Sequence, residues 1–204
     1  MIRLPFTAAS HLAAAAGAVR GALDAHGVVA LPTETFYVLA VRPDDEIAVR
    51  LVFALKGRPA EKSLLVVASS VEQLAPWVRL APPWRARLAA VWPAPVTVVV
   101  PRVGGAGGAG DTLAVRVPAH ELLRALLAQV GPLTATSANR SGGAPCTDPG
   151  AVAAALGAGL AVLLDGGATG GGAPSTLLDL TKAPPRLLRA GAWEAPAAWG
   201  VKAS

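Results

Sequence analysis

The sequence predicts an α/β fold, a sheet with helices packed on its faces, and three observations carry that expectation. Hydrophobic residues make up 53% of the 204 and charged residues 15%, the balance of a chain that buries much of itself and not of a disordered one. Short apolar runs of strand length alternate with segments whose apolar residues recur at helical spacing. No repeat and no linker interrupts that alternation, and the length suits one core better than two, so a single domain over residues 1–204 is expected.

In chain order, Ser10 is placed to cap a helix that runs to about residue 26, and Gly27 can end it. Residues 28–31 then form an apolar run short enough for a buried strand. Asp44 and Asp45 open a second helix, in which Ile47, Leu51 and Leu55 recur at helical spacing, and Gly57 and Pro59 close it. Lys56 and Arg58 therefore stand at a helix exit. Strand signals follow at 64–68, 96–100, 113–117, 133–136 and 161–164, with helical signals among them at 71–75, 84–91, 119–129 and 151–156. Pro93 and Pro95 punctuate the approach to the strand at 96–100, and two further short strands are expected around Leu177 and Leu187. The glycine-rich stretch 104–110 lies between strands that can pair, so it reads as a mobile hairpin loop.

The charge balance narrows the partners. Eighteen Lys and Arg against thirteen Asp and Glu leave a net charge of +5, and the sequence pI is near 10.1, which favours anionic partners such as nucleotide phosphates or RNA. An ordinary solvated surface also shows a modest excess of arginine, so RNA contact is the secondary expectation. Cys146 is the only cysteine, which excludes an internal disulfide and suits a reducing compartment. His11, His26 and His120 lack the spacing of a zinc site, so no resident metal is expected. No apolar run approaches the roughly 20 residues that span a bilayer, and segment 12–19 reads as part of an amphipathic helix, so no membrane contact and a cytoplasmic location are expected.

Two nucleotide-binding signatures can be set aside. Gly105, Gly107 and Gly110 satisfy G-x-G-x-x-G, but residues 111–117 read as a strand where a dinucleotide fingerprint requires a helix. No glycine-rich turn runs into Gly-Lys-Ser or Gly-Lys-Thr, which excludes a P-loop. Three polar strings at the ends of predicted elements are more informative: Pro32-Thr33-Glu34-Thr35, Lys56-Gly57-Arg58-Pro59 and Ser137-Ala138-Asn139. Open α/β sheets bind ligands at strand ends, where hydroxyls, an amide and cations can converge on a phosphorylated small molecule, and Arg116 and Arg189 can add positive charge. Each string alone has a plainer reading, with Thr33 and Ser137 as turn residues and Lys56 and Arg58 as a solvated pair. Their order, with Asp165-Gly166-Gly167 and Pro174-Ser175-Thr176 following, is more particular than punctuation requires.

PTETFYVLA at 32–40, KGRP at 56–59, WPAPVT at 92–97, LAVRVP at 113–118, TSANRSG at 136–142, DGG at 165–167, PST at 174–176 and LLRAGA at 187–192 resemble the YrdC/Sua5 family, in that family's order and over nearly the whole chain. The resemblance is to its stand-alone YrdC-type members, which are L-threonylcarbamoyladenylate synthases. It implies a twisted, mixed sheet with flanking helices around a positively charged cavity. It implies the formation of L-threonylcarbamoyl-AMP and pyrophosphate from L-threonine, bicarbonate or CO2, and ATP, the first step towards the N6-threonylcarbamoyladenosine of tRNA. It also implies roles. Lys56 and Arg58 would neutralise phosphate and carry the catalytic charge, with Mg2+ sharing the load. Thr112, Ser137, Asn139 and Arg189 would complete the ATP site, while Thr33, Arg116 and Ser175 would hold L-threonine, Arg116 on its carboxylate. Handover of the product to a tRNA threonylcarbamoyl transferase complex is a further implication. Glu34 is left outside the catalytic set, since a carboxylate beside phosphate repels substrate unless it binds metal or orients a cation.

This sequence departs from the family pattern at Val38 and Ala40, where glycines are usual, at Val67, where many Sua5 members have histidine, and at Ala94, where W-P-G-P has glycine. Those departures bear on substrate fit more than on fold. The chain is expected to lack the extra C-terminal domain of longer Sua5 members. Two rival readings stand beside this one. An RNA-binding or ribosome-assembly factor would use the same cavity without catalysis, giving salt-sensitive RNA affinity and no pyrophosphate release. A related enzyme would adenylate a different carbamate. Closure of the 104–110 loop over substrate is a hypothesis that ligand-dependent protease protection would support.

Overall fold

The computed structural model describes residues 1–57, 64–103 and 110–203. Through these the chain runs β1 (Ile2–Pro5), α1 (Leu12–Asp24), β2 (Val29–Pro32), β3 (Tyr37–Ala40), α2 (Glu46–Lys56), β4 (Leu65–Val67), α3 (Val71–Leu74), α4 (Pro82–Val91), β5 (Val96–Pro101), β6 (Thr112–Arg116), α5 (Glu121–Val130), β7 (Leu133–Ser137), α6 (Pro149–Leu156), β8 (Val162–Asp165), β9 (Thr176–Asp179), β10 (Arg186–Arg189) and β11 (Lys202–Ala203). The strands join in the order β1-β8-β2-β3-β7-β4-β6-β5-β9-β10-β11. Parallel pairs such as β1 with β8 and β4 with β6 alternate with antiparallel pairs such as β2 with β3 and β5 with β6, so the sheet is mixed, as expected.

Local chemistry accounts for several helix ends. Asp45 accepts the Ala48 N–H at 3.0 Å at the head of α2, and Asp148 accepts the Ala151 N–H at 3.0 Å at the head of α6, each satisfying a donor that a helix start leaves unpaired. Gly57 closes α2 at φ 61°, where a Cβ is disfavoured. The ends of α1 differ from expectation. Ser10 lies in a 3-10 turn, Ala9–His11, and no side-chain hydrogen bond caps α1. The left-handed residue after that helix is His26, φ 57°, while Gly27 is required by close packing: a Cβ there would lie 2.7 Å from the Ala161 Cβ and 2.8 Å from the Ala22 carbonyl oxygen. β1, β3 and β11 have no counterpart in the sequence reading. β3 matters most, because it makes the PTET string the tight turn of a hairpin in which Pro32 faces Tyr37.

Successive strand residues point to opposite faces of the sheet, and the two faces are covered unequally. On one face, α2 and α6 bury Tyr37, Leu39 and Leu163, and further along α3, α4 and Trp199 bury Val66, Val98, Val115 and Leu178. On the other, α1 and α5 cover Val29, Leu31, Ala135 and Val162, with Val67 of β4 at the limit of that cluster. From there on, the same face of β4, β6, β5 and β9 presents Leu65, Val67, Ala114, Arg116, Thr97 and Leu177 to a cavity of about 540 Å³. That volume is in the range of small-molecule sites, roughly 300–1,000 Å³.

Candidate active site

The cavity takes its floor from the uncovered sheet face and its rim from loops at strand ends. Thr33 is buried at the β2–β3 turn; its hydroxyl donates to the Phe36 carbonyl at 2.7 Å and accepts the Thr35 and Phe36 N–H groups at 3.2 Å each. One side chain thus closes the turn on itself while Thr33, Thr35 and Phe36 line the cavity. The turn is held from behind. The Thr169 hydroxyl and the Gly171 N–H both donate to the Thr35 carbonyl, at 2.8 and 2.7 Å, and a Cβ on Gly170 would stand 3.0 Å from the Glu34 carbonyl oxygen.

Tyr37 fixes the adjacent DGG string. Its hydroxyl donates to the Gly167 carbonyl at 2.7 Å and accepts the Gly166 N–H at 3.0 Å. Burial is the largest cause pushing this phenol up to about 12; Asp165 and Asp148 add to it, against the Gly166 N–H and Arg3. A Cβ on Gly166 would stand 2.8 Å from Cγ of Pro32, so DGG presses on the strand end that carries the PTET turn and supports the site from outside it.

On the opposite rim Arg189 grips Ser175, its Nη2 and Nε donating to the Ser175 carbonyl at 2.8 and 3.2 Å. The Ser175 hydroxyl lies 2.8 Å from that of Thr97, and both are buried. This grip depends on Gly191, where a Cβ would collide with the Pro174 carbonyl, and on the Ala192 N–H, which donates to that same carbonyl at 2.9 Å. Burial lowers the Arg189 pKa. Arg116, the last residue of β6, lines the floor and is 5% exposed. Glu34 pairs with its Nη2 and also accepts the Ala119 N–H at 3.2 Å. Burial first, and then the nearby charge of Arg189, bring Arg116 down to about 10. Its Nε and the Glu34 Oε2 are buried without a hydrogen-bond partner among the described residues.

Lys56 closes α2 with its ammonium buried, donating to the Ser137 carbonyl and, at 2.9 Å, to the Asn139 carbonyl. The SAN loop therefore folds around a buried cation. The Asn139 amide carries the same loop onward by donating to the carbonyls of Arg140 at 2.8 Å and Gly143 at 2.7 Å.

Of the residues expected at the site, Thr33, Arg116, Ser137, Ser175 and Arg189 line the cavity. Lys56 and Asn139 bond to and shape the loop that carries Ser137, without lining the cavity themselves. Thr112 is exposed at the other end of β6 from Arg116, roughly 13 Å away by strand rise. Arg58 lies outside the described residues, as do 104–109 of the glycine-rich loop. Thr35 and Thr97 are lining residues that the sequence reading assigns no role. Thr97 does carry a signal, as the one hydroxyl in the apolar strand VTVVVP. Among the departures, Val38 and Val67 line the cavity, whereas Ala40 is buried under α1 and α5 and Ala94 is packed beside Trp92. Among the described residues no group of three His, Cys, Asp or Glu is close enough to hold a metal, and Glu34 is engaged by Arg116. The hydroxyls and guanidinium groups that line the cavity are donors suited to an anionic ligand.

The Sua5/YciO/YrdC family profile, described as "Telomere recombination", matches residues 21–191. A threonylcarbamoyl-AMP synthase of Pyrococcus abyssi is 42% identical over 172 residues, 80% of this chain and 50% of that protein, so the chain spans about half the length of that relative. A threonylcarbamoyl-AMP synthase of Chromohalobacter salexigens is 42% identical over 165 residues, 78% of this chain and 89% of that one. Among solved structures, P. abyssi Sua5 complexed with L-threonine superposes with a TM-score of 0.84 at 37% identity, covering 94% of this chain and 58% of that one. E. coli YciO has a TM-score of 0.82 over 95% and 96% of the two chains; at 18% identity that likeness is one of fold alone. No helix among the described residues is long and apolar enough to cross a membrane.

Proposed function

The chain belongs to the Sua5/YciO/YrdC family, and on that premise we propose that it makes L-threonylcarbamoyl-AMP from L-threonine, bicarbonate and ATP, releasing pyrophosphate. The observation that carries this reading is the cavity itself. Two arginines and a ring of hydroxyls face one space on a sheet whose fold, at 37% identity, matches that of a Sua5 protein complexed with L-threonine. The activity would supply the first step of tRNA N6-threonylcarbamoyladenosine formation, in the cytoplasm, with the product handed to a tRNA threonylcarbamoyl transferase complex and RNA met only through that handover.

The reaction asks for little covalent work from the protein. The ammonium group of threonine gives up a proton, and the amine so formed combines with bicarbonate to give a carbamate and water. A carbamate oxygen then bonds to the α-phosphorus of ATP as the bond to the bridging oxygen breaks and pyrophosphate leaves. The nucleophile is already an anion, so the difficulty is to bring two anions together and to neutralise the charge that gathers on the leaving group. Arg116, buried with an Nε that no described residue engages, suits the threonine carboxylate, with the hydroxyls of Thr33 and Ser175 beside it. Arg189 and Ser137 are assigned to the nucleotide, with Asn139 shaping the loop behind Ser137 and Thr112 at the outer end of β6. Lys56 acts from behind the wall by ordering the SAN loop and lending it positive potential, and Arg58 is assigned to the phosphates directly. Mg2+ enters with ATP and supplies further neutralisation there.

The test is pyrophosphate release from ATP and Mg2+ with bicarbonate, comparing L-threonine with L-serine and with no amino acid, for wild type and Lys56→Ala. Release is expected to require threonine and bicarbonate and to fall at least about a hundredfold in the variant, the size typical of losing one preorganised electrostatic element. Binding of ATP without release under any of these conditions would refute the synthase reading.

A further inference from the structure

Glu34 is the charged residue of the PTET turn, and the reaction as proposed gives it no task. It is not among the residues that line the cavity, yet it pairs with the arginine on the cavity floor. Its Oε1 serves both the Arg116 guanidinium and the Ala119 N–H at 3.2 Å, so a single oxygen ties the β2–β3 turn to the segment between β6 and α5. A guanidinium that is 5% exposed needs a counter-charge, and Glu34 supplies it through Nη2. Nε of the same guanidinium is left buried and without a partner among the described residues, the condition of a donor that awaits a ligand acceptor. Pairing with Arg116 also resolves the sequence-level objection to Glu34, because a carboxylate whose charge is matched by a neighbouring cation no longer repels an anionic substrate as a bare one would.

Resting on the reading of Arg116 as the receptor for threonine's carboxylate, we infer that Glu34 is a positioning residue that clamps Arg116 from outside the cavity and so sets the protein's affinity for the substrate carboxylate without touching it. A purely structural staple would behave differently. Its loss would weaken threonine and ATP binding alike and leave the preference for a carboxylate where it was.

Calorimetric titration of the full chain with L-threonine, L-threoninamide and ATP separates these cases, because the amide keeps the amine and side chain and lacks only the carboxylate charge. Wild type is expected to bind threonine more tightly than threoninamide. Glu34→Gln is expected to cut that preference about tenfold, the effect of misplacing one charged hydrogen-bonding group, while ATP affinity holds. Glu34→Asp, which keeps the charge and shortens the reach, is expected to recover part of the preference, and it carries the test if Glu34→Gln does not fold. A preference intact in whichever of these variants folds overturns the inference and leaves the reading of Arg116 standing. Equal binding of threonine and threoninamide by wild type overturns the reading of Arg116 and the inference with it, whatever the outcome of the pyrophosphate assay.

Discussion

The two faces of this sheet carry the same kinds of strand to different ends. One face is packed along its length, first under α2 and α6 and then under α3, α4 and the C-terminal tryptophans, with Thr134 and Thr176 buried among its apolar residues. The other is packed only as far as α1 and α5 extend, and past them the same strands hold Thr97, Arg116 and Ser137 over an open cavity. β9 shows the contrast in two neighbouring residues: Leu178 is fully buried in the packed face and Leu177 lines the cavity. The lesson is a division of labour across the thickness of a single strand. Burial on one side holds rigid what the other side leaves exposed, which is the arrangement a preorganised site needs.

The sharpest break of that comparison is Leu178→Ala, which opens a void in the packed face and is expected to cost about 3 kcal/mol in chemical denaturation. Tyr37 gives a second test on the same face. It is the sole tyrosine, and with its pKa raised from 10.0 to about 12 it should form tyrosinate, read by near-ultraviolet absorbance, only near pH 12 in the native protein but near 10 in denaturant. Because the folded value is the raised one, the stability this group contributes is complete below pH 10 and is lost as the pH climbs through 12; Tyr37→Phe should flatten the alkaline fall in the urea midpoint. Gly191→Ala probes the rim, where the added Cβ must displace the Pro174 carbonyl; a loss of about 2 kcal/mol is expected, with weaker threonine binding in calorimetry. Smallest of all, Leu177→Ala faces space that is already open, so it should cost about 1 kcal/mol or less by the same denaturation assay that reads Leu178→Ala. Equal costs at 177 and 178 would erase the distinction between the faces.

Much of this was legible in the sequence, and the reasons differ by residue. The alternation of apolar runs and helical spacings located most of the elements, because burial imposes a period that survives in the letters. β3 escaped since Tyr37–Ala40 follows the turn string with no glycine or proline to mark its start, and β1 since a strand of four residues at a sheet edge leaves little pattern. At the site, Thr33, Arg116, Ser137, Ser175 and Arg189, which stand far apart in the chain, line one cavity. The plainer reading of Thr33 holds in part as well, since its hydroxyl does close a turn. The sequence places Lys56 at a helix exit, and it stands there, but its ammonium is turned inward onto two backbone carbonyls.

By itself, then, the sequence determined the α/β class, the places where polar strings interrupt apolar strands, and the family, because these depend on local spacing and on the order of residues along the chain. Only the tertiary structure decided that Glu34 meets Arg116 across 82 positions, that Arg189 reaches back to Ser175, and that Val38 and Val67 border the cavity while Ala40 does not. Those contacts join residues far apart in the chain through strand order and register. Register is set by the packing of whole faces, and no short stretch of sequence records it.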